Sequence, residues 1–258
     1  MSKKIAVITG ASSGIGKRFC ETISEYGVFD EIWVIARRLD KLNQINAPYP
    51  VKAVSMDLSN KESLSEYNEL LIKEKPNIAL LINASGYGKF AATEDLSLEE
   101  NINMIDLNCE ALVSMCYLSL RFMKEGAKII NIASVAAFQP VPYINVYSAS
   151  KAFVLNFSRS LNRELKHKRI GVMAVCPFWT KTEFFNRAID NEKEAIVKKY
   201  TAMYYPEQIV KRAWRDAKRG RDVSKFGFIA RFQAFLSKIL PHSFVMSYWI
   251  NQQKIKKI

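Results

Sequence analysis

The chain reads Thr9-Gly10-Ala11-Ser12-Ser13-Gly14-Ile15-Gly16-Lys17 directly after its first apolar run, Ile5–Ile8. The three glycines have the spacing G-x3-G-x-G. Glycine allows a tight turn and a close approach of the backbone to a ligand, and the N-terminus of a following helix offers free N–H groups to an anion. The stretch therefore predicts a strand, a turn that holds the phosphates of a dinucleotide, and a helix; the alternative is an ordinary glycine-rich turn. A nucleoside-triphosphate loop is excluded because Ile15 stands where that motif requires glycine.

Five further runs of apolar and β-branched residues follow, separated by helix-like segments: Ile32–Ala36, Val51–Ser55, Ile78–Ile82, Lys128–Ile132 and Gly171–Cys176. Strands that alternate with helices form a parallel sheet covered on both faces. Right-handed crossovers then give a Rossmann-like, doubly wound α/β fold, whose ligand crevice lies at the carboxyl ends of the strands. Ser97 and Glu100 have capping-box spacing and predict the start of one of the helices.

The length of 258 residues and the apolar content of 49% suit one large α/β domain over 1–258. We expect a nucleotide-binding and catalytic core at 3–185 and a C-terminal helical extension at 186–258. No apolar run approaches the length of a membrane span, about 18 residues, and the first run is too short for a signal peptide. No CxxC pair and no metal-ligand spacing occurs among Cys20, Cys109, Cys116, Cys176, His167 and His242. We therefore expect a cytoplasmic protein without a metal site.

The second predicted strand ends in two arginines, Arg37 and Arg38. A site for NAD commonly has an acidic residue at this position, where it binds the ribose hydroxyls. Guanidinium groups would instead pair with the 2′-phosphate of NADP(H), which is the cofactor we predict. The alternative is a pair of solvated arginines that open the next helix. Asp40 lies past the strand end and is the weaker candidate for the ribose.

Tyr147 and Lys151 are four residues apart and would lie on one face of a helix. A nearby ammonium favours the tyrosinate, so we expect Lys151 to lower the pKa of Tyr147 from about 10 toward working pH. Tyr147 is then a candidate acid and base for the oxygen of a carbonyl or an alcohol. Ser134 lies thirteen residues earlier and ends the fifth predicted strand. Its hydroxyl could orient the same oxygen, or it could be a solvated serine.

The order and spacing of these motifs resemble the classical branch of the short-chain dehydrogenase/reductase family over residues 3–185. Besides the glycine-rich stretch, the resemblance rests on a series of later motifs: Asp57-Leu58, Asn83-Ala84-Ser85-Gly86, Asn108, Ser134, Tyr147-x3-Lys151 and Pro177-x4-Thr182. Two positions depart from the family pattern. Ala84 stands where a second asparagine is usual, and Phe178 replaces the glycine that usually follows the proline.

The resemblance implies that residues after the third and fourth strands hold the adenosine half of the dinucleotide. Asp57 and Leu58 would contact the adenine. Asn83, Ala84 and Gly86 would line the adenosine side, with weaker hydrogen bonding at the position where alanine replaces asparagine.

For the reacting half, the resemblance implies a proton relay and an anchor for the nicotinamide. Asn108 would hold a water in a relay through Lys151. Lys151 would also bind the nicotinamide ribose, next to Tyr147. Thr182, in the loop after the sixth strand, would anchor the carboxamide end, and Pro177 and Thr180 of the same loop are further candidates for cofactor binding. In this family a substrate lid follows that loop.

The last quarter of the chain carries most of the net charge: the total is +13, and Lys198–Ile258 alone carries +11. A basic helix is predicted from Pro206 to about Lys218. Two further helices are predicted on either side of Pro241, where large apolar residues recur at helical spacing: Phe228, Ile229, Phe232, Phe235, Leu236, Ile239 and Leu240, then Phe244, Val245, Tyr248, Trp249 and Ile250.

Three interpretations of this segment stay open. It packs on the core of the protein, it packs on a second subunit of a homodimer or homotetramer, or it forms a basic amphipathic surface that contacts anionic membrane. We favour packing within the protein or against a subunit, with the segment also walling an apolar substrate pocket. A nucleic-acid partner is disfavoured because large aliphatic side chains interrupt the basic residues and no nucleic-acid-binding module is present.

Together these features predict an NADP(H)-dependent oxidoreductase that interconverts a ketone and a secondary alcohol. The aromatic-rich C-terminal third favours an apolar substrate, such as a lipid, acyl or steroid-like ketone. The alternatives are a regulator that binds NADP(H) without turnover and a membrane-recruited scaffold. A non-catalytic protein would not need Asn108, Ser134, Tyr147 and Lys151 together, so we favour the enzyme.

Overall fold

Seven strands form one sheet in the computed structural model, which describes residues 2–189 and 196–255. The strands are β1 (Lys4–Thr9), β2 (Glu31–Ala36), β3 (Val51–Ser55), β4 (Asn77–Asn83), β5 (Lys128–Ile132), β6 (Gly171–Val175) and β7 (Val223–Ser224). Their order across the sheet is β3-β2-β1-β4-β5-β6-β7, and every neighbouring pair is parallel. The strand order reverses direction between β1 and β4, as in a doubly wound sheet. The predicted Rossmann-like fold class is confirmed.

Ten α-helices flank this sheet in the described part of the chain. They are α1 (Gly14–Glu21), α2 (Leu39–Leu42), α3 (Lys61–Glu74), α4 (Leu98–Ile105), α5 (Ala111–Leu120), α6 (Asn145–Glu164), α7 (Phe184–Ala188), α8 (Pro206–Lys218), α9 (Phe228–Leu236) and α10 (His242–Gln253). The last three coincide with the helices predicted for the C-terminal segment. The middle of the predicted lid, 190–195, and the basic residues Lys256 and Lys257 lie outside the described residues.

The central strands are apolar throughout because both faces of the sheet are covered. Val7 packs in one core cluster with Ile35, while the adjacent Ile8 packs in a second cluster with Val34. Successive side chains of a strand point to opposite faces, so a strand with one helical layer on each side needs apolar residues at every position. This is why the sequence shows continuous apolar runs rather than an alternating pattern.

An uninterrupted helical segment runs from Leu98 to Leu120, and its hydrogen-bond pattern changes part-way along. Ser97 Oγ accepts a hydrogen bond from the backbone N of Glu100 at 3.1 Å, which confirms the serine half of the predicted capping box. Between α4 and α5, residues Asp106–Glu110 form a π-helical turn. Such turns are rare and occur frequently at functional sites. This one contains Asn108.

Helix α8 belongs to the body of the protein although it lies beyond residue 185. Trp214 is buried and packs edge-on against Phe19 at 4.8 Å between ring centres, and it stacks on Tyr26 at 5.2 Å. Its indole Nε1 donates to Thr22 Oγ1 at 3.0 Å. The basic side chains of α8 therefore form the outer face of a helix whose inner face packs on α1.

A buried carboxylate ties α8 to the edge strand β7. Asp216 Oδ2 accepts hydrogen bonds from Arg212 Nε at 2.7 Å and from Ser224 Oγ at 2.9 Å. Arg221 Nε lies 3.5 Å from the other carboxylate oxygen. Strand β7 has two residues, and no apolar run marks it in the sequence. Its position depends on this side-chain cluster.

None of the described helices is long and apolar enough to cross a bilayer. The four cysteines are free thiols, and three of them are buried. The cytoplasmic location proposed from the sequence stays a prediction.

Candidate active site

A cavity of about 820 Å³ opens at the carboxyl ends of the parallel strands, where the doubly wound fold predicts a ligand crevice. Most of the predicted site residues line it: Gly10, Ser12, Ser13, Gly14, Ile15, Gly16, Arg37, Arg38, Asp57, Leu58, Ala84, Gly86, Ser134, Tyr147, Lys151, Pro177, Thr180 and Thr182. Thr9, Asn83 and Asn108 are not among its lining residues and are buried in the protein instead.

The glycine-rich turn packs directly on the segment that follows β4. Gly10 has a φ of +63°, and a Cβ at this position would lie 2.6 Å from the carbonyl carbon of Ala84. Thr9 Oγ1 accepts hydrogen bonds from the backbone N of Ala84 and of Ser85, both at 3.1 Å. Thr9 therefore positions the turn, and it does not face the cavity as predicted. With the turn fixed, the first residues of α1 face the cavity and can offer N–H groups to phosphate.

The two arginines after β2 have different partners. Arg37 Nη1 lies 3.7 Å from Asp57 Oδ2. Arg38 Nη1 lies 2.8 Å from Glu183 Oε2, and its Nη2 donates to Ser12 Oγ at 3.1 Å. Lys41 Nζ donates to the second oxygen of Glu183 at 2.8 Å. Lys41 and Arg38 together hold the pKa of Glu183 below its ordinary value.

Glu183 is a residue of this site that the sequence analysis did not single out. It lies next to Thr182, in the loop between β6 and α7, and reaches across the cavity to the segment between β2 and α2. Glu183 and Lys41 are 142 residues apart in the chain, and Arg38 is further still, so no local pattern connects them. The pairing places a carboxylate on one of the arginines predicted to bind a phosphate.

Ser134, Tyr147 and Lys151 meet at the other side of the cavity. Ser134 follows β5, and its hydroxyl accepts from the backbone N of Ala136 at 3.1 Å and also hydrogen-bonds to the Tyr147 hydroxyl. Tyr147 and Lys151 lie one turn apart on α6, and Lys151 Nζ is 5.7 Å from the centre of the tyrosine ring. The ammonium donates to the carbonyl oxygen of Ile132 at 2.8 Å, which fixes the end of its long side chain.

Burial governs the proton affinities of these groups. It raises the pKa of Tyr147 to about 12, although the hydrogen bond with Ser134 acts in the opposite direction. Burial also lowers the pKa of Lys151 to about 8. The expectation that the lysine brings the phenol pKa down toward working pH is therefore wrong for these residues. Desolvation penalises the charged form of both side chains and is the largest cause of both shifts.

Asn108 holds the loop after β4 in place against α6. Its Oδ1 accepts from the backbone N of Tyr87 at 3.0 Å, and its Nδ2 donates to the carbonyl oxygen of Tyr87 at 2.9 Å and to Ser150 Oγ at 3.0 Å. A Cβ on Gly86 would lie 2.7 Å from Asn108 Oδ1 and 3.2 Å from Lys151 Nζ. The side chain of Asn108 is thus committed to the loop, and glycine is needed for this close approach.

Asn83 is placed differently from its predicted role. Its side chain is buried and donates to Asn131 Oδ1 at 2.9 Å and to Cys116 Sγ at 3.3 Å. Asn131 in turn donates to Ser158 Oγ at 2.9 Å. These bonds connect β4, β5 and α6 inside the core. The side chain of Asn83 does not line the adenosine side of the cavity.

Aromatic and aliphatic side chains wall the cavity around Ser134, Tyr147 and Lys151. Phe184 packs on the Tyr147 ring at 5.4 Å between ring centres, and Trp179 stacks on Trp249 at 6.4 Å. Trp249 Nε1 donates to the carbonyl oxygen of Pro142 at 3.0 Å, which anchors α10 to the loop before α6. The wall is completed by residues of α9 and α10 and of the loop between them: Ile229, Phe232, Leu236, Leu240, Phe244, Val245 and Tyr248.

The loop with the unusual Phe178 keeps its path along the cavity. Phe178 packs on Trp179 and Tyr204, with ring centres 6.0 Å and 6.4 Å away. Thr180 Oγ1 donates to the carbonyl oxygen of Phe178 at 2.8 Å. Thr180 and Thr182 therefore remain at the cavity despite the replacement of glycine.

The family model described as short chain dehydrogenase matches residues 4–193. The chain belongs to the short-chain dehydrogenase family. This confirms the resemblance inferred from the motifs, and it identifies the chain as a nucleotide-binding oxidoreductase. Among the residues that the structure describes, no cluster of three or more His, Cys, Asp or Glu side chains suits a metal ion.

Individual relatives carry more detailed names. Mouse 17-beta-hydroxysteroid dehydrogenase type 3 is 33% identical over 206 residues, which cover 75% of this chain and 66% of the mouse protein. Very-long-chain 3-oxoacyl-CoA reductase of Bos taurus is 31% identical over 190 residues, which cover 69% of this chain and 60% of the bovine protein. The chain thus spans less than two thirds of the length of either relative.

The solved structure of a short-chain dehydrogenase from Sphingobium yanoikuyae, in complex with NADPH, matches most of the fold. It is 28% identical, covers 95% of each chain and has a TM-score of 0.76. The match at this coverage extends beyond residue 185.

Proposed function

We propose that this short-chain dehydrogenase reduces a bulky apolar ketone with NADPH, or oxidises the corresponding secondary alcohol with NADP+. The observation that carries the proposal is the meeting of Ser134, Tyr147 and Lys151 in one cavity. At one end of that cavity lies the glycine-rich turn, and at the other an aromatic wall. The two ends suit a dinucleotide and an apolar molecule.

The residues present fit a nicotinamide dinucleotide. Gly10 and Gly14 allow close packing of the glycine-rich turn, since a Cβ at these positions would lie 2.6 Å from the backbone of Ala84 and 3.0 Å from Thr182 Cγ2. The start of α1 then offers free N–H groups to a pyrophosphate. Arg37 and Arg38 supply guanidinium groups for a 2′-phosphate, and Asp57 lies beside them for the adenine. A bound nicotinamide supplies the hydride for reduction or accepts it in oxidation.

The proton is handled by the protein. With its pKa raised by burial to about 12, the phenol of Tyr147 is protonated at neutral pH and can donate to a carbonyl oxygen. The Ser134 hydroxyl hydrogen-bonds to the same phenol and can hold the substrate oxygen beside it. An ammonium at Lys151 would stabilise the tyrosinate that remains, and the carbonyl of Ile132 keeps it on the correct side of the ring.

The wall of the cavity supports an apolar substrate. Phe90, Trp179, Phe184 and Phe185 form connected ring contacts next to Tyr147. Burying apolar surface against such a wall is favourable at about 25 cal/mol per Å². The names of the mouse and bovine relatives, a hydroxysteroid dehydrogenase and a 3-oxoacyl-CoA reductase, point to steroid-like or long-chain acyl ketones as the first compounds to try.

The test is a panel of steroid ketones, long-chain 3-oxoacyl thioesters and small water-miscible ketones, each assayed with NADPH and with NADH by nicotinamide absorbance. We expect turnover of bulky ketones, faster with NADPH. Tyr147→Phe should lose at least about 100-fold in turnover and keep NADPH binding, because it lacks only the acidic hydroxyl. Tyr117→Phe, at an exposed tyrosine far from the cavity lining, is the matched control.

Two results would overturn this function. Tight NADPH binding without turnover of any ketone or alcohol in the panel would identify a cofactor-binding regulator instead. Wild-type turnover in Tyr147→Phe would remove the proton donor from the mechanism.

A further inference from the structure

Helices α9 and α10 both expose large apolar side chains to solvent, and the buried side chains of α9 are small. In α9, Ala230 and Ala234 are buried, whereas Phe228 is 78% and Phe235 is 58% exposed. Exposed apolar side chains continue into the turn after α9 and into α10, with Ile239, Phe244 and Tyr248. The protein's own core, one of the two coverings that we favoured from the sequence, does not cover these residues. Packing against a second subunit is not tested by the structure of a single chain. Contiguous exposed apolar patches are unusual on soluble monomers and mark a binding surface.

Spacing and contacts make these side chains one surface. Phe228 and Phe232 are one helical turn apart, and their rings stack with centres 5.8 Å apart. Phe244 and Tyr248 are one turn apart on α10. Phe232, Phe244 and Tyr248 also line the cavity, so the surface borders the cavity wall. We call Phe228, Phe232, Phe235, Ile239, Phe244 and Tyr248, together with Arg231 and Lys238, the α9–α10 surface.

The charge of this surface has one sign. From Val223 to Ile258 the sequence contains six Lys or Arg residues and no Asp or Glu. Arg231 and Lys238 are exposed on α9 and in the turn after it, and neither forms an ion pair with a carboxylate of the described residues. A partner that binds this surface therefore has to present both apolar groups and negative charge.

A second copy of the chain meets only the first of these requirements. A two-fold interface brings the same patch of both subunits together, so the surface would meet a copy of itself whose charged side chains, Arg231 and Lys238, are also positive. No acidic residue of this segment could neutralise them, and like charges across an interface act against association. An anionic bilayer meets both requirements, since acyl chains accept the aromatic side chains while lipid headgroups pair with the cations.

We propose that the α9–α10 surface docks this enzyme on the surface of an anionic membrane. Phe228, Phe235 and Ile239 enter the headgroup region, and Arg231 and Lys238 pair with acidic lipids. Phe232, Phe244 and Tyr248 then lie between the bilayer and the cavity, which gives an apolar substrate a route from lipid to Tyr147. This last step rests on the proposed function, whereas docking itself does not.

Flotation of the full chain with vesicles tests the docking without reference to activity. We expect the wild type to float with phosphatidylcholine–phosphatidylserine vesicles, to float far less with pure phosphatidylcholine, and to be released as salt rises. Two variants separate the apolar contribution to vesicle binding from the electrostatic one. The triple change Phe228→Ser, Phe235→Ser and Ile239→Ser removes apolar side chains that do not line the cavity. The pair Arg231→Glu and Lys238→Glu reverses the charge.

Each variant should lose about 10-fold or more in vesicle partitioning. The matched controls are Leu98→Ser with Tyr117→Ser, which are exposed apolar positions elsewhere, and Lys218→Glu with Arg219→Glu at the end of α8. Both controls should partition as the wild type does. All variants should turn over a water-miscible ketone at the wild-type rate, so failure of docking and failure of the proposed reaction are separately visible.

The proposal is overturned if the wild type ignores anionic vesicles, or if the two control variants lose as much binding as the two surface variants. It is also overturned in favour of a subunit interface if light scattering shows an oligomer that the triple variant dissociates while vesicles have no effect.

Discussion

Replacing Glu183 by glutamine should strengthen the binding of NADPH and leave NADH unchanged. The Glu183 carboxylate lies 2.8 Å from Arg38 and 2.8 Å from Lys41, at the place where we expect a 2′-phosphate. A phosphate that pairs with Arg38 has to displace this carboxylate. Glutamine keeps the size of the side chain and removes its charge. NADH has no 2′-phosphate and therefore does not compete with Glu183 for Arg38.

The size of the effect follows from the exposure of the ion pair. The side chains of Arg38 and Glu183 are 42% and 43% exposed. Pairs this open to water are worth about 0.2–1 kcal/mol, because solvent and salt screen them. Removing the competitor should therefore raise the NADPH affinity about 1.4- to 5-fold. The gain should shrink as salt is added.

Fluorescence or calorimetric titration of both cofactors measures this ratio. Glu74→Gln is the matched control, since Glu74 forms a comparable 3.0 Å pair with Lys52 at a surface away from the cavity lining. It should change neither affinity. If Glu183→Gln weakened NADPH, Glu183 would be ordering Arg38 for the phosphate rather than competing with it. If both cofactors shifted together, the 2′-phosphate would not bind at Arg38.

Three further changes test other parts of the molecule. The double change Arg37→Ala and Arg38→Ala should weaken NADPH far more than NADH in the same titrations, since each well-formed charge-assisted bond is worth about 1.5–3 kcal/mol; a wild type that prefers NADH would refute the assignment. Burial lowers the pKa of Lys151 from 10.5 to about 8. The folded protein then binds fewer protons than the unfolded chain between these values, so this residue's contribution to stability rises with pH across that window. Lys151→Met removes this contribution. Denaturant titrations should then show the unfolding free energy of the wild type rising relative to that of the variant as the pH rises through the window. A difference in unfolding free energy that does not change with pH would contradict the pKa shift. Asp216→Asn should cost about 3 kcal/mol of unfolding free energy, because it leaves Arg212 without its buried partner; a change within about 0.5 kcal/mol would show that the cluster does not hold β7.

The grouping of Ser134, Tyr147 and Lys151 in one cavity was predictable because their relationship is local. A spacing of four residues places Tyr147 and Lys151 on one helix face whatever the rest of the chain does. The end of an apolar run locates Ser134 at a strand end, and parallel strands bring their carboxyl ends to one edge of the sheet. The fold class follows in the same way from strand runs separated by helical segments.

The direction of a side chain at a strand end is not local in this sense. Thr9 and Asn83 are paired neighbours in the register of β1 and β4, and both side chains turn into the protein, while Gly10 and Ala84 line the cavity. Alternation sends successive side chains to the two covered faces of the sheet, and the strand ends where the crevice begins. Asn83 finds its partner Asn131 inside the core, which the sequence does not show. A contact of Asn83 with the cofactor stays a prediction.

The buried face of a helix and the pKa of a buried side chain also depend on tertiary packing, which the sequence does not show. Helical spacing predicts α9, but it does not show that Ala230 and Ala234 form the inner face and the phenylalanines the outer one. Only the packed structure shows that desolvation dominates at Tyr147. The contact of Glu183 with Arg38 requires two distant loops to meet, and two-residue β7 depends on a side-chain cluster rather than on a strand pattern.

One short stretch serves both ends of the cavity. Thr182 lines it, Glu183 reaches the arginine beside the predicted phosphate position, and the ring of Phe184 packs on Tyr147. A trans peptide fixes neighbouring Cα atoms about 3.8 Å apart, so a backbone displacement at Glu183 would reach Phe184. Phe184 forms part of the wall against which the ketone would lie. If binding at the nucleotide end moves the backbone of this stretch, we expect the shape of the substrate end to change with it; if only the Glu183 side chain rotates, we expect no such change.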